Sequence, residues 1–296
     1  MQVAFAIPAT VFWPYFAGVA LLAIGLLIIR DEVRQAHGLE KIMPFGRLFF
    51  AVPMAVFGAD HFVFAQGIAT IVPRWIPIHL FWVYLVGVAL IAAALSIVAK
   101  RYAKLAATLL GSMLFLFVVL MHVPAILADP RDRFAWAIGF RDLAFSGGAF
   151  TFAGAQSKAQ PANGVPGLVT LGRFFIAVPA LYFGIEHFFH PDYVPGIPLD
   201  RLTPTWIPGR LFWAYLGGAV ILVAGACIVV NKKARLAATY LGIIILLQVL
   251  FVYGPILAAN LSSIENGLNY FADTLVFSGA ALLLADALPR EDDSHA

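Results

Sequence analysis

GRLFFAVPMAVFGADHF at residues 46–62 returns as GRFFIAVPALYFGIEHF at residues 172–188. In both copies a Gly-Arg pair opens an apolar run of helix length, and an acid followed directly by histidine closes it: Asp60-His61 and Glu186-His187. Other stretches match in the same order. IPIHLFWVYLVG (76–87) pairs with IPGRLFWAYLGG (207–218), KLAATLLG (104–111) with RLAATYLG (235–242), and FSGGA (145–149) with FSGAA (277–281). Self-similarity at a fixed spacing is the mark of a repeated structural unit. IPATVFWPYFAG (7–18) is a third copy of the unit's second helix, so the first span reads as an extra helix packed outside two copies of a four-helix unit.

The composition places these units in a bilayer. The chain of 296 residues is 62% hydrophobic and 12% charged, with mean hydropathy +0.90; a soluble domain carries about 25% charged residues. Apolar runs of about 20 residues recur, each long enough for a hydrocarbon core about 30 Å thick. The fold class is therefore an all-α polytopic membrane protein of about nine transmembrane helices. The alternating segments of about ten residues that a membrane β-barrel needs are missing. The net charge of +3 does not point to nucleic acid, because the basic residues sit in short loops between spans. A lone Cys227 excludes an internal disulfide and a dithiol. The N-terminal stretch lacks a basic leader and is too long for a signal-peptide core, so it is expected to stay as a span.

Breaks at Gly, Pro and charge give spans near 4–29, 46–66, 79–98, 104–128, 134–154, 169–190, 210–230, 235–259 and 268–287. The organisation expected is an N-terminal helix and loop (1–45), a first unit (46–154), a polar linker AQSKAQPANGVPGL (155–168), a second unit (169–287) and a polar tail (288–296). An even number of spans per unit makes the copies parallel, related by a pseudo-twofold axis along the membrane normal. Of the 19 Lys and Arg residues, thirteen fall on one side and five on the other, with Arg141 inside a span. The positive-inside rule then puts the N-terminus outside and the C-terminus in the cytoplasm of a bacterial inner membrane.

Polar groups collect in the outer half. His61, His79, His122, His187 and His190 all fall at outer span ends, and Asp60, Glu186, Arg141, Asp142 and Asp273 lie nearby in sequence depth. Arg141 stands about 10 Å into its span at the helical rise. An ionisable group at such depth is a functional candidate that needs a partner. Arg141 and Asp273 hold equivalent places in the two units, so Arg141 is expected near the seam between them, neutralised by Asp60, Asp142 or Asp273. Asp60 and His61 point about 100° apart on a helix and cannot both face one ligand, whereas Glu186 and His190 can share a face. The bland readings are interfacial histidines, interhelical salt links, and an aromatic belt for the FWxY motif, with PRWIP (73–77) and PTWIP (204–208) as interfacial turns.

Haem could use His61 with His187 across the helices, and a metal could use His61, His122 and an acid. Neither HExxH nor CxxCH is present, and Tyr253 replaces His122 in the second unit. No flavin or nucleotide motif, glycine-rich phosphate loop or Ser-His-Asp spacing is present.

The unit's plan, with GRxxxAxxxxxxGxxHF in the first helix, a Trp/Pro outer loop, a Gly-rich second helix and a basic start to the third, resembles the DoxX-like family of four-helix membrane proteins. Both units, about 240 residues, fit it as a tandem duplication. That family includes the membrane subunit of a thiosulfate:quinone oxidoreductase, subunits of redox complexes and assembly factors, so the resemblance implies no single chemistry. Tyr84 and Tyr215 stand where a carboxylate would be more telling, and there is no dithiol.

Three functions follow as expectations. The first is a redox membrane subunit binding quinone near the outer surface, with Asp60, His61, Glu186 and His187 exchanging protons, Trp75, Trp206, Tyr84 and Tyr215 stacking on the ring, and Arg141 and His122 nearby. Electrons would come from a periplasmic redox partner. The second is a non-catalytic assembly subunit of a larger membrane complex. The third is a small-solute or ion transporter between the repeats, against which the cytoplasmic half offers few polar groups.

Overall fold

The computed structural model describes residues 8–156, 167–197 and 200–289; most of the expected linker and tail lie outside the described residues. The apolar runs become long helices. They are α1 (Ala9–Gln35), α2 (Met43–Val63), the short α3 (Ala65–Ala69), α4 (His79–Ala99), α5 (Ala103–Ala128), α6 (Arg133–Ala155), α7 (Gly167–Phe189), α8 (Arg210–Val229), α9 (Ala234–Ala259) and α10 (Ile264–Ala287). Local chemistry fixes several ends. Asp132 caps α6 by accepting from the amides of Phe134 and Ala135, and Ser263 caps α10 by accepting from Asn266.

Among the described residues, eight helices are long and apolar enough to cross a membrane. They are α1, α2 with its lead-in, α4, α5, α7, α8, α9 and α10. Helix α6, which the sequence also reads as a span, has the length at 23 residues. It differs in carrying Arg141-Asp142 at mid-helix and a glycine- and alanine-rich second half, which lower its apolarity. It is also a central helix, packed against α5, α7 and α10.

Packing repeats with the sequence. In the first copy α2 packs on α4 and α5 on α6; in the second α7 packs on α8 and α9 on α10. Across the seam α6 meets α7 and α2 meets α10, with α6 against α10 between them. Ser146 donates to the Gly111 carbonyl at 2.8 Å, and Ser278 donates to the Gly242 carbonyl at 2.8 Å. The seam contacts depend on bare backbone. A Cβ at Gly147 would press on the Gly172 carbonyl, and one at Gly279 on the Gly46 carbonyl and the Phe49–Phe50 backbone. The α4–α5 and α8–α9 turns also match: Lys100 and Tyr102, then Asn231 and Lys233, take left-handed backbone at φ 53, 53, 57 and 51°.

The copies differ at one end. The connection from α7 to α8 folds back over α9, placing Val194 and Ile207 against Val252, Tyr253 and Ile256. In the first copy the shorter connection holds α3 and leaves α5 largely exposed. Helix α1 lies along α2 and leaves Phe12, Trp13, Phe16 and Leu27 exposed.

Candidate functional site

The acid–histidine end of the seam carries a chain of buried charge. Arg141 on α6 donates from Nη1 to Asp273 Oδ2 on α10 at 3.1 Å, and from Nε to Asp142 Oδ1 at 3.0 Å. The other Asp142 oxygen accepts from His122 Nε2 on α5 at 2.8 Å. Asp142 and Asp273 are each 7% exposed. Arg141 and Asp273 stand at equivalent repeat positions, so the ion pair joins the two copies where they face each other. Of the three partners expected for Arg141, two hold it and Asp60 does not.

His122 reaches Asp142 because of a local irregularity. Residues Val118–His122 form a π-helical turn, as do Val249–Tyr253 in the second copy. Each turn precedes a proline, Pro124 or Pro255, whose missing N–H and bulky ring disturb the hydrogen bonds of the preceding turn. The extra residue per turn re-aims the side chains there, placing His122 toward Asp142 and Tyr253 toward the fold-back connection. The Tyr253 hydroxyl donates to the Pro195 carbonyl at 2.7 Å.

The acid and histidine of each repeated pair face different ways. Asp60 is 5% exposed and looks across the seam toward Asn269 and Asp273 on α10, with Oδ1 lacking a hydrogen-bond partner among the described residues. His61 turns back into its own copy, with Nδ1 2.7 Å from the Phe57 carbonyl and Cβ against Gly87 of α4. Glu186 likewise faces the seam, accepting from Arg133 of α6 at 3.2 Å with His190 4.0 Å away. Arg133 also lies over the Tyr193 ring at 4.1 Å. His187 packs on Gly218 of α8 and uses both nitrogens: Nδ1–H donates to the Phe183 carbonyl at 2.5 Å, and Nε2 accepts from the Gly196 amide at 2.8 Å.

The structure therefore does not assemble the four residues Asp60, His61, Glu186 and His187 around one point. His61 with His187 makes no bis-imidazole pair, since each ring packs within its own copy on α4 or α8. No group of three or more His, Cys, Asp or Glu among the described residues is placed to hold a metal. His61 and His122, paired in sequence as candidate ligands, hold different partners. The aromatic candidates sit at the periphery. Tyr84 stacks on Phe62 with centroids 5.7 Å apart, and Tyr215 lies on Phe188 at 6.0 Å. Trp75 and Trp206 are exposed in their turns, as interfacial anchors would be.

An open groove of about 340 Å³ lies where α2 breaks into α3, beside α4. Phe62, Val63, Phe64, Gln66, Gly67 and Tyr84 line it, directly after Asp60-His61. Phe64 ends α2 by leaving helical backbone at φ −113°, and that break opens the groove.

At the opposite end, Arg47, read from sequence as a loop charge, is 3% exposed and donates to Glu32 at 3.0 Å. Arg235 holds both Glu40 oxygens at 2.9 Å and the Ala285 and Leu288 carbonyls. These basic residues tie helix ends together. Sequence reasoning also missed Gln248, 0% exposed against Gly196 and Gly217, and Asn269 facing Asp60. A polar residue inside an apolar run was the available signal for Gln248; Asn269 stands one helical turn before Asp273.

Residues 50–141 match a family described only as a domain of unknown function (DUF8561). The match runs from mid-α2 to Arg141 and leaves the second copy outside. Comparisons with curated proteins and with solved structures give no match.

Proposed function

We propose that this chain is an integral membrane subunit of a redox system that binds a quinone-like amphipathic ligand at the acid–histidine end. The observation that carries the reading is the groove of about 340 Å³ between Phe62, Gln66 and Tyr84. Its volume and aromatic lining suit a substituted ring with an isoprenoid tail leaving toward lipid, since such sites pair apolar walls with a few polar groups. Gln66 supplies a hydrogen bond to a ring oxygen, the Tyr84 hydroxyl is the proton-exchanging group within the lining, and His61 stands on α2 just before the groove. His187, with both nitrogens engaged, serves as a positioning residue for the fold-back connection.

The frame for this reading is nine crossings in two parallel four-helix units plus α1, with the groove end outside a bacterial inner membrane and the Arg47 end cytoplasmic. The likeness of each unit to DoxX-like proteins supports a redox assignment by analogy alone. Electrons would enter from a periplasmic partner.

A second reading, a non-catalytic assembly subunit, draws on the saturation of Arg141, Asp142 and His187 by internal partners. Lipid extraction from gently purified protein, followed by mass spectrometry, separates the two. A stoichiometric quinone in wild type, lost at least tenfold in Phe62→Ala/Tyr84→Ala with the fold retained, is the expected result. No quinone in wild type, or equal retention in the variant, would favour the assembly reading.

A further inference from the structure

Five helix ends meet at the face of the bundle opposite the groove. Glu32 lies one turn before the end of α1, Arg47 one turn into α2, Lys100 just past α4, Gln156 just past α6, and Asp286 next to the end of α10. Together they line a cleft of about 50 Å³, with Phe152 and Leu283 as apolar walls. The ends of membrane spans sit at the depth of lipid headgroups. A cleft of this size takes a few waters or one small charged group.

Two groups in the cleft are left unengaged. Arg47 forms its floor, 3% exposed, and donates from Nη2 to Glu32 at 3.0 Å, yet its buried Nε–H has no acceptor among the described residues. Asp286, exposed on the rim, makes no hydrogen bond or ion pair among the described residues. Lys100, also on the rim, gives one ammonium proton to the same Glu32 oxygen at 3.1 Å and keeps the others for a guest. A salt link between helices accounts for Glu32, but for neither the Arg47 Nε–H nor Asp286. Nor does the repeat require the rim charges: the matching places of the other copy hold Asn231 for Lys100 and Gly154 for Asp286.

Charge gives the class of guest. In and around the cleft Arg47, Lys100 and Arg235 stand against Glu32, Glu40 and Asp286, so neither a lone anion nor a lone cation is called for. The charges are nonetheless separated. Arg47 and Lys100 share one carboxylate, Glu32, which leaves their side positive. Arg235 is taken by both Glu40 oxygens and two carbonyls, which leaves the Asp286 side negative. A guest carrying an anion and a cation a few bonds apart complements both sides.

We infer that this cleft binds the headgroup of a zwitterionic phospholipid whose cation is a primary ammonium, a phosphoethanolamine. The phosphate oxygens accept from the Arg47 Nε–H and the Lys100 ammonium, and the lipid ammonium donates to Asp286 and the Gln156 amide oxygen. A trimethylated ammonium has no N–H to give Asp286, which sets the choice against choline. The inference does not depend on the groove's occupant.

The test is native mass spectrometry of purified full-length protein, delipidated and then given an equimolar mixture of dioleoyl phosphatidylethanolamine, phosphatidylcholine and phosphatidylglycerol. With acyl chains matched, differences in retention report the headgroup. Phosphatidylethanolamine is expected to be retained about tenfold over the other two, the worth of one hydrogen bond to a charged group. Asp286→Asn should bring it down to the level of phosphatidylcholine. Lys100→Asn, which copies the residue of the other turn, should weaken retention of all three. Equal retention of the three lipids, or none of any, overturns the inference. So does a preference for phosphatidylethanolamine undiminished in Asp286→Asn. Retention led by phosphatidylglycerol also overturns it, because the cleft then reads an anion alone.

Discussion

At the residue scale, Arg141 shows how a charge is tolerated in so apolar a chain. It is bound by Asp142 beside it and by Asp273 across the seam, within hydrogen-bond distance of both. Removing one partner of such a buried pair leaves an uncompensated charge, a loss of about 3–5 kcal/mol. Arg141→Met is therefore expected to destabilise the protein by that much. The double variant Arg141→Met/Asp273→Asn should lose clearly less than the sum of the two single changes, measured by reversible denaturant titration. Additivity within about 0.5 kcal/mol would mean the pair is not coupled. Gln248 gives the opposite case. Both amide atoms are buried without a partner among the described residues, and the equivalent position in the first copy is Phe117. Gln248→Met is expected to be neutral or to stabilise by about 1–3 kcal/mol. A loss of similar size would show that the amide makes a needed interaction. The sequence indicated Arg141, Asp273 and Asp60 as buried functional candidates, because charge in an apolar run is conspicuous. Helix geometry already set Asp60 and His61 about 100° apart, but the sequence could not indicate which of them turns to the seam and which into its own copy. That depends on which neighbouring helix packs on each face.

At the scale of helices, the long elements were readable because hydropathy alone sets them. The π turns at Val118–His122 and Val249–Tyr253 were not, since the wider turn there goes with a proline just downstream and leaves no periodic mark. Yet that turn decides where His122 points. The fold-back connection over α9 was equally hidden: its Pro- and Gly-rich sequence reads as a turn, and its burial comes from Val194 and Ile207 meeting α9. The seam contacts between helices rest on Gly147 and Gly279, where backbone meets backbone. Gly279→Ala is expected to cost about 2–4 kcal/mol, because the added methyl meets main chain that cannot turn away. Gly67→Ala, at a glycine with open space around it, should cost under 1 kcal/mol by the same titration. Equal losses at the two sites would contradict the close-contact account.

At the scale of the whole molecule, positions that match in the two similar stretches of sequence meet at the seam, and the two halves differ in detail. Arg141 opposes Asp273 across the seam, Tyr253 stands in the second copy where the first has His122, and the groove lies at the shorter connection of the first copy. The proposed function rests on that groove, so the decisive measurement is where a quinone sits. A photoreactive azidoquinone cross-linked to membranes containing the full-length protein, with labelled peptides located by mass spectrometry, reads this directly. Label is expected on residues 62–67 and at Tyr84, displaced by excess native quinone. Label confined to other segments, or label that native quinone does not displace, would contradict it.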